Sequence, residues 1–236
     1  MPELFATRRL LVKASLAIPT LAVFGCAWRA AAPSPATPAR PAPRYFDDAE
    51  QRFVETATQR LIPDGSDGLG AKGAAVAFFI DRQLSGSFGK ADTWYMQGPW
   101  QEGTEQQGYQ LKLTPAELYR VAIRNIDDHC RQAFAGKTFV ALSSAMQDQV
   151  LHGLESGDIK LADTSAKDFF AILWQNTQEG FLADPMYGGN RNFAGWRLIG
   201  FPGPRYNYLA EITQYGKPYA QPPVGLLGRD GSLVQA

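Results

Sequence analysis

Gly68, Gly70 and Gly73 are spaced as G-x-G-x-x-G, the pattern that brings a pyrophosphate onto a helix N-terminus in dinucleotide-binding proteins. That chemistry also needs a strand before the turn, a crossover helix after it and an acidic residue about 20 positions further on. Here the preceding residues read as a helix stopped by Pro63 and then a Gly/Asp turn, so the spacing predicts a loop. Gly89-Lys90-Ala91 lacks both the upstream glycine and the Ser/Thr of a phosphate loop. The chain has two histidines, His129 and His152, which by themselves cannot build a His-rich metal centre. It contains no C-x-x-C-H for haem attachment and no G-x-S-x-G nucleophile elbow. Glu179 and Asp184 are acids beside a glycine-rich stretch, for which helix-end solvation and loop anchoring is a better reading than proton transfer. Catalytic, cofactor-binding and metal-binding residues are therefore expected to be none in this chain.

The one strong functional motif lies at the N-terminus. Thr7-Arg8-Arg9-Leu10-Leu11-Val12-Lys13 fits the twin-arginine export pattern, with Arg8 and Arg9 as the pair read by the translocase. A weakly hydrophobic stretch of 11 residues follows, Ala14 to Phe24, against the roughly 20 needed to span a bilayer. Val23-Phe24-Gly25-Cys26 resembles a lipoprotein cleavage box, with a bulky Phe24 and Cys26 as the candidate lipidation residue. Cleavage after Ala27 or beyond, and retention as an N-terminal anchor, are the open alternatives. Residues 30–44 include Pro33, Pro35, Pro38, Pro41 and Pro43, a composition that favours an extended, semi-rigid tether.

The rest reads as mainly α: a single helical domain with long ordered Gly/aromatic loops, preceded by the signal segment and Pro-rich tether. Residues 1–32 are the signal segment, 33–45 the tether, 46–215 the domain and 216–236 an irregular tail. Asp47 and Glu50 form a capping-box pattern, and Phe53, Val54, Ala57 and Leu61 recur at helical spacing. A short apolar run from Ala74 to Leu84 reads as a helix, with a buried strand as the alternative. Thr114-Pro115-Ala116-Glu117 combines N-cap, first-turn proline and N3 glutamate, opening a helix that should reach about Phe134. Further helices are expected from Ser143 to Glu155, and from near Thr164 through Phe181. Residues 85–113 and 186–208 read as long loops whose aromatics and arginines are interface candidates: Trp94, Tyr95, Trp100, Tyr109, Tyr187, Arg191, Trp196, Phe201 and Arg205.

Composition narrows the functional classes. There are 23 basic and 23 acidic residues, so no basic surface for nucleic acid is indicated. Charged residues are 19% and aromatics 12%, a charge-poor, aromatic-rich balance that suits a protein–protein interface. Of the two cysteines, Cys26 lies in the export segment, which excludes a disulfide framework in the body. Cys130 is read as a small buried hydrophobe, with a crosslink to another subunit as the alternative.

Seven ordered blocks resemble the gluconate 2-dehydrogenase subunit 3 family. They are Ile80-Asp81-Arg82-Gln83-Leu84, Trp94-Tyr95-Met96-Gln97-Gly98-Pro99, Gln107-Gly108-Tyr109-Gln110, Leu113-Thr114-Pro115-Ala116-Glu117-Leu118-Tyr119, Gln175-Asn176-Thr177 with Glu179-Gly180-Phe181, Ala183-Asp184-Pro185-Met186-Tyr187-Gly188-Gly189-Asn190-Arg191, and Gly195-Trp196-Arg197-Leu198-Ile199-Gly200-Phe201-Pro202-Gly203. The resemblance covers about residues 46–212. It implies the small (gamma) subunit of a membrane-associated complex, facing the periplasm after twin-arginine export. The implied partners are a large flavoprotein that holds FAD and oxidises a sugar acid, and a multihaem cytochrome c subunit carrying haem c. The large subunit of such complexes lacks its own export signal and is thought to leave the cytoplasm bound to the small one. The alternative is a lipid-tethered periplasmic module that binds a sugar acid in residues 187–206.

Overall fold

The computed structural model describes residues 42–66, 68–101, 103–219 and 221–227, all within the compact unit Pro41–Ala236. The export signal with Arg8, Arg9 and Cys26, the tether up to Pro41, and the last residues of the tail lie outside the described residues.

Seven α-helices and no strand occur among the described residues: α1 (Asp48–Leu61), α2 (Val76–Ser85), α3 (Ser87–Lys90), α4 (Pro115–Ala133), α5 (Ser144–Ser156), α6 (Ala166–Leu182) and α7 (Ala194–Ile199). The starts of the long helices are written in their caps. Asp47 accepts from the backbone N–H groups of Ala49 and Glu50, and Glu50 reaches back to the Asp47 N–H, closing the expected capping box. Thr114 and Glu117 form a second box around Pro115 at the start of α4. Ser143 and Ser165 cap α5 and α6. Each such cap contributes about 1 kcal/mol by satisfying donors that a helix start leaves open.

α6 is the central element. α1, α2, α4 and α5 all pack against it, and the core fills with Phe53, Phe79, Tyr119, Leu154, Phe169 and Leu173. Fully burying a side chain of this size stabilises by about 1.5–3 kcal/mol. Tyr119 is fully buried, and its hydroxyl accepts from the Asn176 amide on α6 at 2.9 Å, so the largest core residue keeps its polar atom paired. Cys130 is fully buried on α4, with its thiol pushed up to about 12 by burial. It is a core hydrophobe with no path to another subunit.

The apolar run after Ala74 is a helix, as the first of the two readings has it. The two long loops are ordered and carry short helical pieces: residues 85–113 contain α3 and a 3₁₀ turn at Glu105–Gln107, and residues 185–208 contain two 3₁₀ turns and α7. Both stretches carry so many glycines that helical periodicity is masked. Four non-glycine residues in or beside these short elements sit in the left-handed region, Ala91, Asn190, Asn192 and Phe193.

One buried carboxylate ties the entry of the chain to the core. Asp81 on α2 is almost wholly buried and accepts three backbone N–H bonds, from Arg44 at 2.7 Å and from Tyr45 and Phe46 at 2.9 Å. Tyr45 is held a second way, its hydroxyl donating to the Ala116 carbonyl while Arg120 donates to that hydroxyl and stacks on the ring. Replacing Asp81 by Ala strands three N–H groups in a partly buried place and should cost about 2–4 kcal/mol. Asp81→Asn, which keeps one acceptor oxygen, should recover part of that loss. Urea unfolding of the two variants checks this, and equal midpoints for Asp81→Ala and the parent would contradict it.

Candidate functional site

The C-terminal end of α6 is where the second glycine-rich block is built. A helix leaves its last four carbonyls without intrahelical partners, and three of those of α6 find donors in the residues that follow. The Glu179 carbonyl accepts from the Ala183 N–H at 2.7 Å, and the Gly180 carbonyl from the Asn190 N–H at 2.9 Å. The Leu182 carbonyl accepts from the Trp196 indole N–H at 2.6 Å. Just beyond the helix, the Ala183 carbonyl accepts from the Asn190 side-chain amide at 2.8 Å, and the Asn190 oxygen accepts from the Gly195 N–H at 2.9 Å. Asn190 is fully buried, and its bond from the Gly195 N–H is buried with it, so that contact is costly to lose. Gly195 is required because any side chain there would collide with the Phe181 carbonyl.

Asp184 completes the arrangement. One carboxylate oxygen caps the following 3₁₀ turn by accepting from the Met186 N–H at 3.0 Å. The other accepts from the Leu226 N–H at 2.8 Å, forty-two residues away. The anchoring role expected for Asp184 is thus what the structure places there. Glu179 is spent on the Gln175 side chain at 2.8 Å.

The interface candidates divide into two groups. Trp94 packs edge-on against Phe88 and tilted against Tyr109. The Tyr109 hydroxyl donates to the Leu113 carbonyl at 2.6 Å, and burial followed by the nearby Asp168 charge pushes that phenol well up, so it remains a donor. Trp100 lines a cleft of about 780 Å³ together with Gln110, Lys112, Asp163 and Asp168 at the N-terminal end of α6. Tyr95 is exposed. The second group, Tyr187, Arg191, Trp196, Phe201 and Arg205, sits at or beyond the C-terminal end of α6. Seventeen residues of helix separate the two ends, about 25 Å, so the structure does not bring the groups together.

Within the second group the residues have different tasks. Tyr187 and Phe201 are exposed. Arg191 is half-buried, and its backbone N–H donates to the Ala74 carbonyl at 3.0 Å, tying the block to the start of α2. Arg205 lies over the Tyr219 ring and donates to the Pro222 carbonyl. Trp196 is only 4% exposed, stacked on Phe193 and edge-on to Phe201. It therefore supports a surface from beneath and does not form one, because its indole N–H is committed to the Leu182 carbonyl.

Other chemistry does not assemble. The Gly68–Gly73 stretch follows α1 and a turn closed by a single Gly65–Gly68 bridge, with no strand before it, so the dinucleotide pattern has no fitting cradle. His129 is half-buried on α4 and His152 is exposed on α5. Among the described residues no group of three or more His, Cys, Asp or Glu side chains could hold a metal ion, and no helix is long and apolar enough to cross a membrane. The cleft at the other end of α6 is lined by Asp163 and Asp168 together with Lys112.

Trp196→Phe keeps the ring stack and removes one hydrogen bond to a helix-end carbonyl, and should cost about 1–2 kcal/mol. Trp196→Ala adds a cavity and should cost about 3–5 kcal/mol. Thermal unfolding of the isolated chain measures both, and a parent-like midpoint for Trp196→Ala would show that the indole is not part of the core.

A family model described as Gluconate 2-dehydrogenase subunit 3 matches residues 48–203, from the first residue of α1 to Gly203. No match is found among the curated proteins or the solved structures. The matched span takes in all seven helices among the described residues and the assembly at the end of α6 apart from Leu226, well over half of the 236 residues. The chain belongs to the gluconate 2-dehydrogenase subunit 3 family.

Proposed function

We propose that this chain is the non-catalytic small (gamma) subunit of a membrane-associated gluconate 2-dehydrogenase-type complex, exporting, assembling and stabilising the catalytic flavoprotein. The observation that carries this reading is where the apolar surface lies. Of the eighteen exposed large hydrophobic side chains among the described residues, thirteen fall between Leu182 and Leu227. A lone soluble chain rarely leaves so many apolar groups clustered in one stretch, whereas a subunit covers them with its partner.

Under this reading FAD in the large subunit would supply the electron acceptor for sugar-acid oxidation, and the haems of a cytochrome c subunit would take the electrons onward. This chain contributes a rigid surface: the Asn190, Trp196 and Asp184 bonds hold the exposed Tyr187 and Phe201 in place before any partner arrives, which lowers the entropic cost of binding. The twin-arginine motif at Arg8 and Arg9 supports an escort role, since that route accepts folded cargo and a flavoprotein must acquire FAD before export. The complex would then work at the periplasmic face of the membrane.

Replacing Arg8 and Arg9 together by Lys should retain gluconate- or 2-ketogluconate-dependent dye reduction in the cytosolic fraction of the producing cells. Fractionation with dye assays reads the outcome. Undiminished activity in the periplasmic membrane fraction would overturn the escort role.

A further inference from the structure

Past Gly203 the chain leaves the body, makes an excursion and comes back. Its base is closed by one backbone–backbone bond, one backbone–carboxylate bond and one packing contact. The Val224 N–H donates to the Pro202 carbonyl at 3.2 Å, and the Leu226 N–H donates to the Asp184 carboxylate at 2.8 Å. Gly203, at φ +80°, has room only for hydrogen, because a side chain there would strike the Val224 carbonyl and approach the Trp196 ring. The returning segment is thus seated beside the indole that closes the end of α6. Further out, Tyr208 packs edge-on against Tyr219, and Arg205 lies over Tyr219, so the two limbs of the excursion are held together by side chains.

The tip has the opposite character. Tyr206 is 103% exposed, Tyr215 86% and Leu209 72%, and Ile212 is exposed as well. A run of tight turns carries them, with bonds from Glu211 to Tyr208, Gln214 to Glu211 and Lys217 to Gln214. A small number of clasped contacts at the base therefore present four large apolar side chains to solvent, outside the span that the family model matches.

We propose that residues 204–219 form a docking arm that inserts Tyr206, Leu209, Ile212 and Tyr215 into a concave surface of the catalytic flavoprotein subunit. The inference rests on the function proposed above and names the surface through which it is exercised. The occupant is a protein because the arm is built from turns. Irregular backbone exposes N–H and C=O groups that hydrocarbon cannot satisfy, and membrane-surface binding by this amount of apolar area ordinarily uses an amphipathic helix. A protein partner supplies hydrogen-bond partners for the turns and pockets for the rings. A partner subunit exists to be bound because the family to which the chain belongs is a numbered subunit of a multi-subunit dehydrogenase, and the flavoprotein is the one that the export role proposed above requires this chain to hold.

The test uses the full chain co-produced with the flavoprotein subunit in cells that export both. A photo-crosslinking amino acid is placed at Tyr206 or Tyr215, and at His152 on α5 as a control. In parallel, the exposed tip is changed as Tyr206→Ser, Leu209→Ser, Ile212→Ser and Tyr215→Ser in one variant. Crosslinks from both arm positions, and none from His152, should join the chain to the FAD-bearing polypeptide. The serine variant should keep the parent's unfolding midpoint while flavin co-purified with it falls at least about tenfold. Arm crosslinks to a second copy of this chain, or to phospholipid alone, would overturn the proposal. Crosslinks to the flavoprotein from His152 only, with flavin recovery unchanged in the serine variant, would overturn the arm while leaving the subunit function standing. Absence of flavin from the purified parent chain would overturn the function itself, and the arm with it.

Discussion

A helix that ends inside a protein must have its last carbonyls satisfied, and the C-terminal end of α6 is where this chain meets that requirement. The Gly180 and Ala183 carbonyls both face the fully buried Asn190. Donors from a later segment therefore have to be brought to them, and Asn190 and Trp196 are those donors. Once they are in place, the path of residues 186–203 is determined to within a few turns: left-handed corners at Asn190 and Phe193, the short helix α7, and the exposed Phe201 leaning on the indole. The candidate surface is a consequence of capping a helix. That is why the block richest in glycine and aromatics is held by side-chain bonds to the end of α6.

The same logic explains what was legible from the amino-acid sequence and what was not. Helix starts are local: Asp47 with Glu50, Thr114 with Pro115 and Glu117, and Ser143 each announce themselves within four residues. The long helices α1, α4, α5 and α6 were accordingly readable to within a residue or two. The glycine-rich block was readable as an ordered loop but not as 3₁₀ turns and α7, because its bonds join residues up to forty-two positions apart and α7 is only six residues long. Trp196 is the clearest case. Its type marks it equally as an interface anchor and as a core residue, and only the position of the Leu182 carbonyl decides between them. A spacing cue did exist: Asn190 and Trp196 follow the end of α6 within one compact turn of chain, close enough to return and cap it.

The separation of Trp100 and Tyr109 from Tyr187 and Phe201 by the length of α6 bears on how a partner is held. A partner that touched both ends would have to lie along the helix bundle, burying α6 residues such as the exposed Trp174 on the way. A partner held at the C-terminal end alone would leave the cleft beside Asp163 and Asp168 open to solvent. The distribution of exposed apolar side chains favours the C-terminal end as the principal contact.

The central claim is that this chain works as one part of an assembly whose chemistry resides elsewhere. Native mass spectrometry of the full chain, purified with its bound partners from the membranes of exporting cells, tests that most directly. The account predicts a non-covalent species containing this chain together with a larger subunit, which releases FAD on unfolding. A chain that flies alone or as a homo-oligomer without flavin would contradict it.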